Sequence, residues 1–486
     1  MASTTPFFAA FGPLLFGHPP RSFRAELRSQ AAHAESLSQL REALGPMVPD
    51  VLLARGKSGA GSRVRLFSPL ITFWAFLAQV LSPNSACREA LRKVQAWWSL
   101  CHGVEVSADT SAYCQARARL SDRALQNVHT HLAERMEANV PSDQLWMGRN
   151  VKIVDGTNLS MPDTPENQAL YPQPSSQKPG CGFPMMKLLA VFSLASGALL
   201  HFARGQLRVH EGQLFRSLWE WLVPGDVILS DRGFCSFFAV ASLLHRQVDS
   251  VMRLQQCRIV DFRRGERLGH DDRLIHWEKP SVSKNHPDAQ EFAALPPKLA
   301  LRQIRLQVAF KGSRTRLIIL VTTLLDPIRY PADAIRALYL ERWGVELHFR
   351  EIKIVLALDV LRCMTPAMIE KELLVHLIAY NLIRSLMQHA ALRHRVALGR
   401  ISFKGTLDTL RHFADAVQAA HRRAHKQAAL LDAMLLNIAK DLVPYRPNRS
   451  EPRAKKRRPK NYHLLNKPRH KMGNLPHRNT NRKKCP

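Results

Sequence analysis

Along residues 21 to about 145, apolar positions recur at helical spacing. The pattern is clearest in Leu40–Leu44, Phe73–Leu81, Ala90–Leu100 and Leu120–Met136, with Ser121-Asp122 and Ser107-Ala108-Asp109 as candidate N-caps. From residue 151 the period changes. Val151–Val154 reads as a strand, and Leu188–Leu194 with Leu199–Ala203 reads as a hairpin turned at Ser196-Gly197. A helix is expected at Glu211–Leu222, a strand at Asp226–Leu229, a helix at Phe237–Leu244 and a strand at Ser250–Leu254. Residues 255–325 then alternate in the manner of strands, most clearly at Leu301–Val308 and Leu317–Val321. Helices resume at Pro331, a residue favoured at helix starts, and continue through Ile369–Leu392 and Leu407–Leu442.

This order predicts an α/β fold that resembles a ribonuclease-H-like core interrupted late by a strand-rich insertion, flanked by helical regions. The expected divisions are a helical N-terminal region over 20–148 and an α/β domain over 149–360 with its insertion at about 255–325. A helical C-terminal region over 361–445 and a basic tail over 446–486 complete them. The tail carries fifteen Lys/Arg against the single acid Glu451, and with Pro and Asn throughout it is expected to be disordered when free.

Charge narrows the partner. The chain of 486 residues has a net charge of +31, of which +17 lies outside the tail, and such an excess attracts a polyanion in a salt-sensitive way. The eight cysteines include no Cys-x-x-Cys pair and no spaced Cys/His set, which argues against a zinc site or a disulfide framework and for a reducing cytosol. The apolar stretch Phe7–Phe16 lacks a basic flank and is broken by Gly12-Pro13, so it is not read as a signal core. Leu70–Leu81 is too short to span a bilayer, and no membrane segment is expected. Residues 55–65 contain Gly56-Lys57-Ser58, but Val51 stands where a phosphate loop needs glycine, so a flexible basic loop is expected there. The charges of Arg117-Ala118-Arg119 are expected on a solvated helix face open to DNA.

Three acids stand out. Asp155 ends the apolar run that starts at Val151, and Asp231 ends the run that starts at Asp226. Glu346 lies in a later helix. Phosphodiester hydrolysis needs an activated water and a stabilised leaving oxygen, which two Mg²⁺ ions roughly 3.5–4 Å apart supply. Mg²⁺ takes oxygen ligands and keeps several waters, so a few carboxylates held at strand ends suffice. At about 100° per residue, Tyr339, Arg342, Glu346 and Lys353 fall on one helical strip roughly 60° wide. Such a strip suits a metal ligand beside phosphate-contacting groups. Each aspartate alone also suits an ordinary turn, and Arg342 with Glu346 also suits a surface ion pair.

Tyr339-x2-Arg342-x3-Glu346-x6-Lys353, together with Asp155-Gly156-Thr157 and Asp231-Arg232-Gly233-Phe234, resembles the pattern of the IS four-type insertion-sequence transposases of the DDE class. Ser111-Ala112-Tyr113-Cys114-Gln115-Ala116-Arg117 looks like the N-terminal helical region of that group. The resemblance implies a cut-and-paste DNA transposase with Asp155, Asp231 and Glu346 binding two Mg²⁺ ions, for which Mn²⁺ can substitute. It implies that Tyr339, Arg342 and Lys353 hold DNA phosphates. It also implies a homodimer that pairs terminal inverted repeats in a synaptic complex, then joins target DNA, in the bacterial cytosol at the nucleoid. The pattern's insertion Trp would fall near Ile318, where there is none; Trp277 is the sole Trp of the insertion and is expected to be a half-buried strand residue. A nuclease of the same fold without strand transfer, and a DNA-binding protein without catalysis, are the competing readings. A paired-carboxylate glycosidase finds no support in a charge of +31.

Overall fold

The computed structural model describes residues 66–82, 86–102, 106–258, 260–281, 289–308, 317–419 and 423–444, with isolated positions elsewhere. The stretch Phe7–Phe16, the Leu40–Leu44 helix, the loop 55–65 and, apart from isolated positions, the tail 446–486 lie outside the described residues.

In chain order the main helices and strands are α1 (Pro69–Leu81), α2 (Cys87–His102), α3 (Ser111–Arg119), α4 (Asp122–Ala138), β1 (Val151–Ser160), α5 (Pro165–Leu170), β2 (Met185–Ser193), β3 (Leu199–Gln206), α6 (Glu211–Arg216), β4 (Val227–Ser230), α7 (Phe237–His245) and β5 (Asp249–Arg253). They continue as β6 (Glu266–Gly269), β7 (Asp272–Glu278), α8 (Ala289–Ala294), β8 (Lys298–Gln307), β9 (Leu317–Thr322), α9 (Ala332–Glu341), α10 (Gly344–Arg350), α11 (Pro366–His394), α12 (Phe403–Ala419) and α13 (Ala424–Lys440). The described residues fall into two units, one within 1–124 and 389–443, the other mainly 125–388.

The first unit is helical. Ser68 caps α1 by accepting from the Ile71 N–H at 3.3 Å, and Phe73, Trp74, Phe76 and Leu77 of that helix are buried. Tyr113 of α3 donates to Gln79 of α1 at 2.7 Å. Arg117 corrects the expectation of a solvated face. It is buried, with its guanidinium 4.9 Å from the centre of the Phe76 ring and 5.0 Å from that of Tyr113. An aromatic pocket holds an arginine through cation–π attraction and packing of its stem, which composition alone does not reveal. The long helix expected over Leu407–Leu442 is two helices, α12 and α13.

The second unit is built on one nine-stranded sheet in the order β3-β2-β1-β4-β5-β9-β8-β7-β6. β1, β2 and β3 pair antiparallel, while β1, β4 and β5 run parallel. That is the ribonuclease-H topology. The hairpin turns as expected: Gly197 takes φ +67, and Ser193 N–H donates to the Ala198 carbonyl at 2.9 Å. The strand-rich insertion does not stand apart. β9 pairs antiparallel with β5, so β6–β9 prolong the core sheet.

Both faces of the core strands are covered, which is why they read as near-continuous apolar runs. On one face Val154, Leu189, Val191 and Ile228 pack with Phe215 of α6 and Val240 and Leu243 of α7. On the other, Phe192 meets Phe349 of α10 edge-on and Tyr380 of α11. Asn381 of α11 clamps β3 by bonding both the N–H and the carbonyl of Leu199 at 2.9 Å. The insertion is pinned by Arg302 of β8, 1% exposed, whose Nε bonds both Asp272 oxygens at 2.9 and 3.0 Å and whose Nη1 bonds the Tyr330 carbonyl at 2.6 Å. No described helix is long and apolar enough to cross a membrane.

Candidate active site

The β1–β4 register sets the site. Val154 is level with Ser230 in the parallel ladder, and Ser230 is level with Met252 of β5. The next residues are Asp155, Asp231 and Arg253. They therefore form a cross-strand row of acid, acid and base at the C-terminal edge of the parallel strands, with neighbouring strands roughly 4.8 Å apart. Asp155 is not at a strand end, as the apolar run suggested. β1 continues to Ser160 because β2 pairs with it along that length, from Lys152↔Ser193 to Ser160↔Met185. What ends at Val154 is the pairing with β4.

The electrostatics follow from this crowding. Asp155 is pushed up to about 6, chiefly by burial. The Gly156 N–H, donating at 2.8 Å, and the Arg342 guanidinium at 3.8 Å pull it down; Glu211 and Asp231 push it up. Arg253 lies 4.0 Å from Asp231 Oδ1, too far for a hydrogen bond, and among the described residues that buried oxygen has no hydrogen-bond partner. Burial raises the Tyr339 phenol, with Arg342 beside its ring at 5.6 Å and opposing the shift.

The single helical strip expected for Tyr339, Arg342, Glu346 and Lys353 is not what forms. The helix breaks after Glu341, restarts at Gly344 and passes into a π-helical turn at Glu351–Val355. A strip drawn at constant pitch does not survive two such irregularities. Tyr339 and Arg342 are buried against the sheet edge, while Glu346 is exposed on α10. Lys353 nevertheless reaches β1, donating to Thr157 Oγ1 at 3.2 Å and to the Asn158 carbonyl at 3.0 Å, and pairs with Asp359 at 3.4 Å. The structure thus brings Asp155, Asp231, Tyr339 and Arg342 together. It does not gather Glu346 with the aspartates: among the described residues, no group of three or more His, Cys, Asp or Glu side chains is arranged to hold a metal ion.

Two further residues lie at this edge, and neither was singled out from the sequence. Arg253 ends a strand with no motif around it; only its register with Asp231 marks it. Glu211, first residue of α6, stands beside Gly156 and Gly233. Trp277, expected to be a half-buried strand residue, is buried in β7 with the Arg258 guanidinium 3.8 Å above its ring.

The aspartate pair fits a divalent cation. Its buried, unbonded Asp231 oxygen and the acid beside it leave negative charge that nearby cationic side chains meet only at 3.8 and 4.0 Å. Residues 146–382 match the family described as Transposase DDE domain. With its ribonuclease-H topology, this catalytic unit is that of a DDE-class enzyme, which depends on divalent metal, cleaves DNA and transfers strands. Over 362 residues, 72% of this chain and 77% of the relative, the chain is 26% identical to Transposase InsG for insertion sequence element IS4 of Escherichia coli (strain K12). Together the two matches support an IS4-type DDE transposase, an enzyme of DNA transposition. A shorter match, 28% identical over 127 residues, covers 26% of this chain and 42% of Putative transposase InsZ of the same organism. A cryo-EM structure of the piggyBac transposase synaptic complex with hairpin DNA aligns over 90% of both chains at 11% identity and a TM-score of 0.42.

Proposed function

We propose that Asp155, Asp231 and Glu346 are the catalytic, cation-binding carboxylates of this transposase, and that Tyr339, Arg342 and Lys353 hold DNA phosphates beside them. The observation that carries the reading is the adjacency of Asp155 and Asp231, one step past the last paired residues of β1 and β4. The ions in this reading are two Mg²⁺, replaceable by Mn²⁺, and they would lower the pKa of an attacking water and neutralise the leaving oxygen.

The chain's own groups divide the remaining work. Arg342 and Arg253 flank the aspartates with positive charge, a suitable seat for phosphate oxygens. Lys353 adds a point charge braced by Thr157 and Asn158 of β1. Glu346 reaches the aspartates once substrate is in place. The break at Arg342–Trp343 and the π turn after Arg350 are the two irregular points about which α10 can turn.

The reaction sequence is nicking at the element end, attack of the freed 3′-OH on the opposite strand to give a hairpin, hairpin opening, and attack on target DNA. Each is an in-line phosphoryl transfer at one site. The terminal inverted repeats are bound by the helical region 20–148 and the basic tail 446–486. A homodimer, paired partly through the helices of 361–445, holds two ends in a synaptic complex at the nucleoid.

The test incubates the full chain with linear DNA bearing its own flanking ends and Mg²⁺, and maps cut and joined products. Asp155→Ala, Asp231→Ala and Glu346→Ala should each abolish cleavage while leaving DNA binding intact. Any one of them that cuts normally is removed from the site.

A further inference from the structure

Asp155 and Asp231 have a third acidic neighbour that the Tyr-Arg-Glu-Lys spacing does not contain. Glu211 opens α6, and its carboxylate lies where two glycines leave room. A Cβ placed on Gly156 would sit 2.8 Å from Glu211 Oε1, and one placed on Gly233 would sit 4.0 Å from Oε2. Gly156 directly follows Asp155, and Gly233 comes two residues after Asp231. The carboxylate therefore spans the two segments that carry the aspartates, and a side chain at 156 would displace it.

Glu211 is half-buried, yet among the described residues its side chain makes no hydrogen bond or ion pair. The ring of His210, not Glu211, caps α6 by accepting from the Gly212 N–H at 3.1 Å. The charge of Glu211 adds to the repulsion that Asp231 exerts on Asp155, and a cation shared by the three would neutralise it. The favourable field at a helix start accounts for an acid at 211. It does not account for a carboxylate lodged against both glycines. Asp155 and Gly156 are consecutive on a strand, so the aspartate and the space above Gly156 face opposite sides of the sheet. Asp155 and Glu211 consequently approach the sheet edge from opposite faces.

We propose that Glu211 is a fourth carboxylate of the cation site, contributing an oxygen from the α6 face while Asp155 and Glu346 contribute from the other. The proposal rests on the reading of Asp155 and Asp231 as cation ligands. In it, Gly156 is glycine because the space beside it is reserved for the Glu211 carboxylate.

The test is Mn²⁺ titration of the full chain without DNA, followed by loss of the free-ion paramagnetic resonance signal. Glu211→Gln should weaken Mn²⁺ binding at least tenfold with the circular dichroism spectrum unchanged, and Glu211→Asp should recover part of it. Gly156→Ala should reproduce the loss through a group that is not acidic. Because the displaced atom is the free end of a flexible side chain, that variant folds and keeps the proposal testable if Glu211→Gln does not. Wild-type affinity in either folded variant, Glu211→Gln or Gly156→Ala, overturns the assignment. Asp155→Asn separates the two readings. If it loses Mn²⁺ while Glu211→Gln keeps it, only the role of Glu211 fails; if it binds Mn²⁺ as the wild type does, the aspartate reading fails and the fourth ligand with it.

Discussion

Asp155→Asn should make the metal-free protein more stable while destroying its activity. The folded carboxyl titrates at about 6 against an ordinary 3.8, chiefly because it is buried, with Asp231 and Glu211 adding repulsion. The folded state thus holds a proton that the unfolded chain has released between those two values. Stability is full below pH 4, is lost as pH rises through about 6, and stays lower above it. Two pKa units correspond to ~3 kcal/mol, and with the side chain 26% exposed a discounted ~2 kcal/mol is the expected penalty at pH 8. Asparagine removes the charge yet can still accept from the Gly156 N–H that bonds Asp155 Oδ1 at 2.8 Å. The assay is urea unfolding from pH 4 to 8 in EDTA, wild type against Asp155→Asn, followed by tryptophan fluorescence. The variant should match the wild type at pH 4 and exceed it by about that margin at pH 8, and added Mg²⁺ should stabilise the wild type and narrow the gap. A gap of equal size at both pH values, or a variant less stable at pH 8, would refute the reasoning.

Three further outcomes follow from the same physics. Asp272→Ala leaves the buried Arg302 guanidinium without its carboxylate and should destabilise the protein by ~3–5 kcal/mol, whereas replacing both residues by apolar ones of similar volume should cost far less; denaturant unfolding of the single and double variants checks this. Lys353→Ala should weaken DNA binding for all sequences alike and lower the slope of log affinity against log salt by about one. Equal slopes for wild type and variant would place Lys353 in a purely structural role, bracing β1 and Asp359. Removing residues 446–486, with their fifteen Lys/Arg, should reduce general DNA affinity and flatten the salt dependence by about 0.9 for each phosphate the tail neutralises. An unchanged slope would mean the tail touches no phosphates.

Much of the architecture was legible in the chain because it rests on local preferences. The strands begun at Val151 and Val227, the Ser196-Gly197 turn and the change of period at 151 each depend on a few consecutive residues, and each is found in the fold. The two aspartates and the Tyr339–Lys353 spacing likewise pointed to the IS4-type transposases that the relatives support. What lay beyond the sequence depends on pairing between distant segments. That β1 runs on to Ser160 was decided by β2, and that Asp155 stands level with Asp231 was decided by a parallel register that no local pattern encodes. The same register brings Arg253 into the row. Arg117 counts as surface charge by composition and is buried because Phe76 and Tyr113 surround it. The 339–353 helix was readable as helix, but not its break after Glu341 or its π turn, so the sequence placed Tyr339 and Glu346 on one face while the fold buries one and exposes the other. Glu211 carries no motif; its place becomes visible only when α6 folds back over two glycines 77 positions apart, and closure of that distance is a property of the sheet rather than of the residues around it.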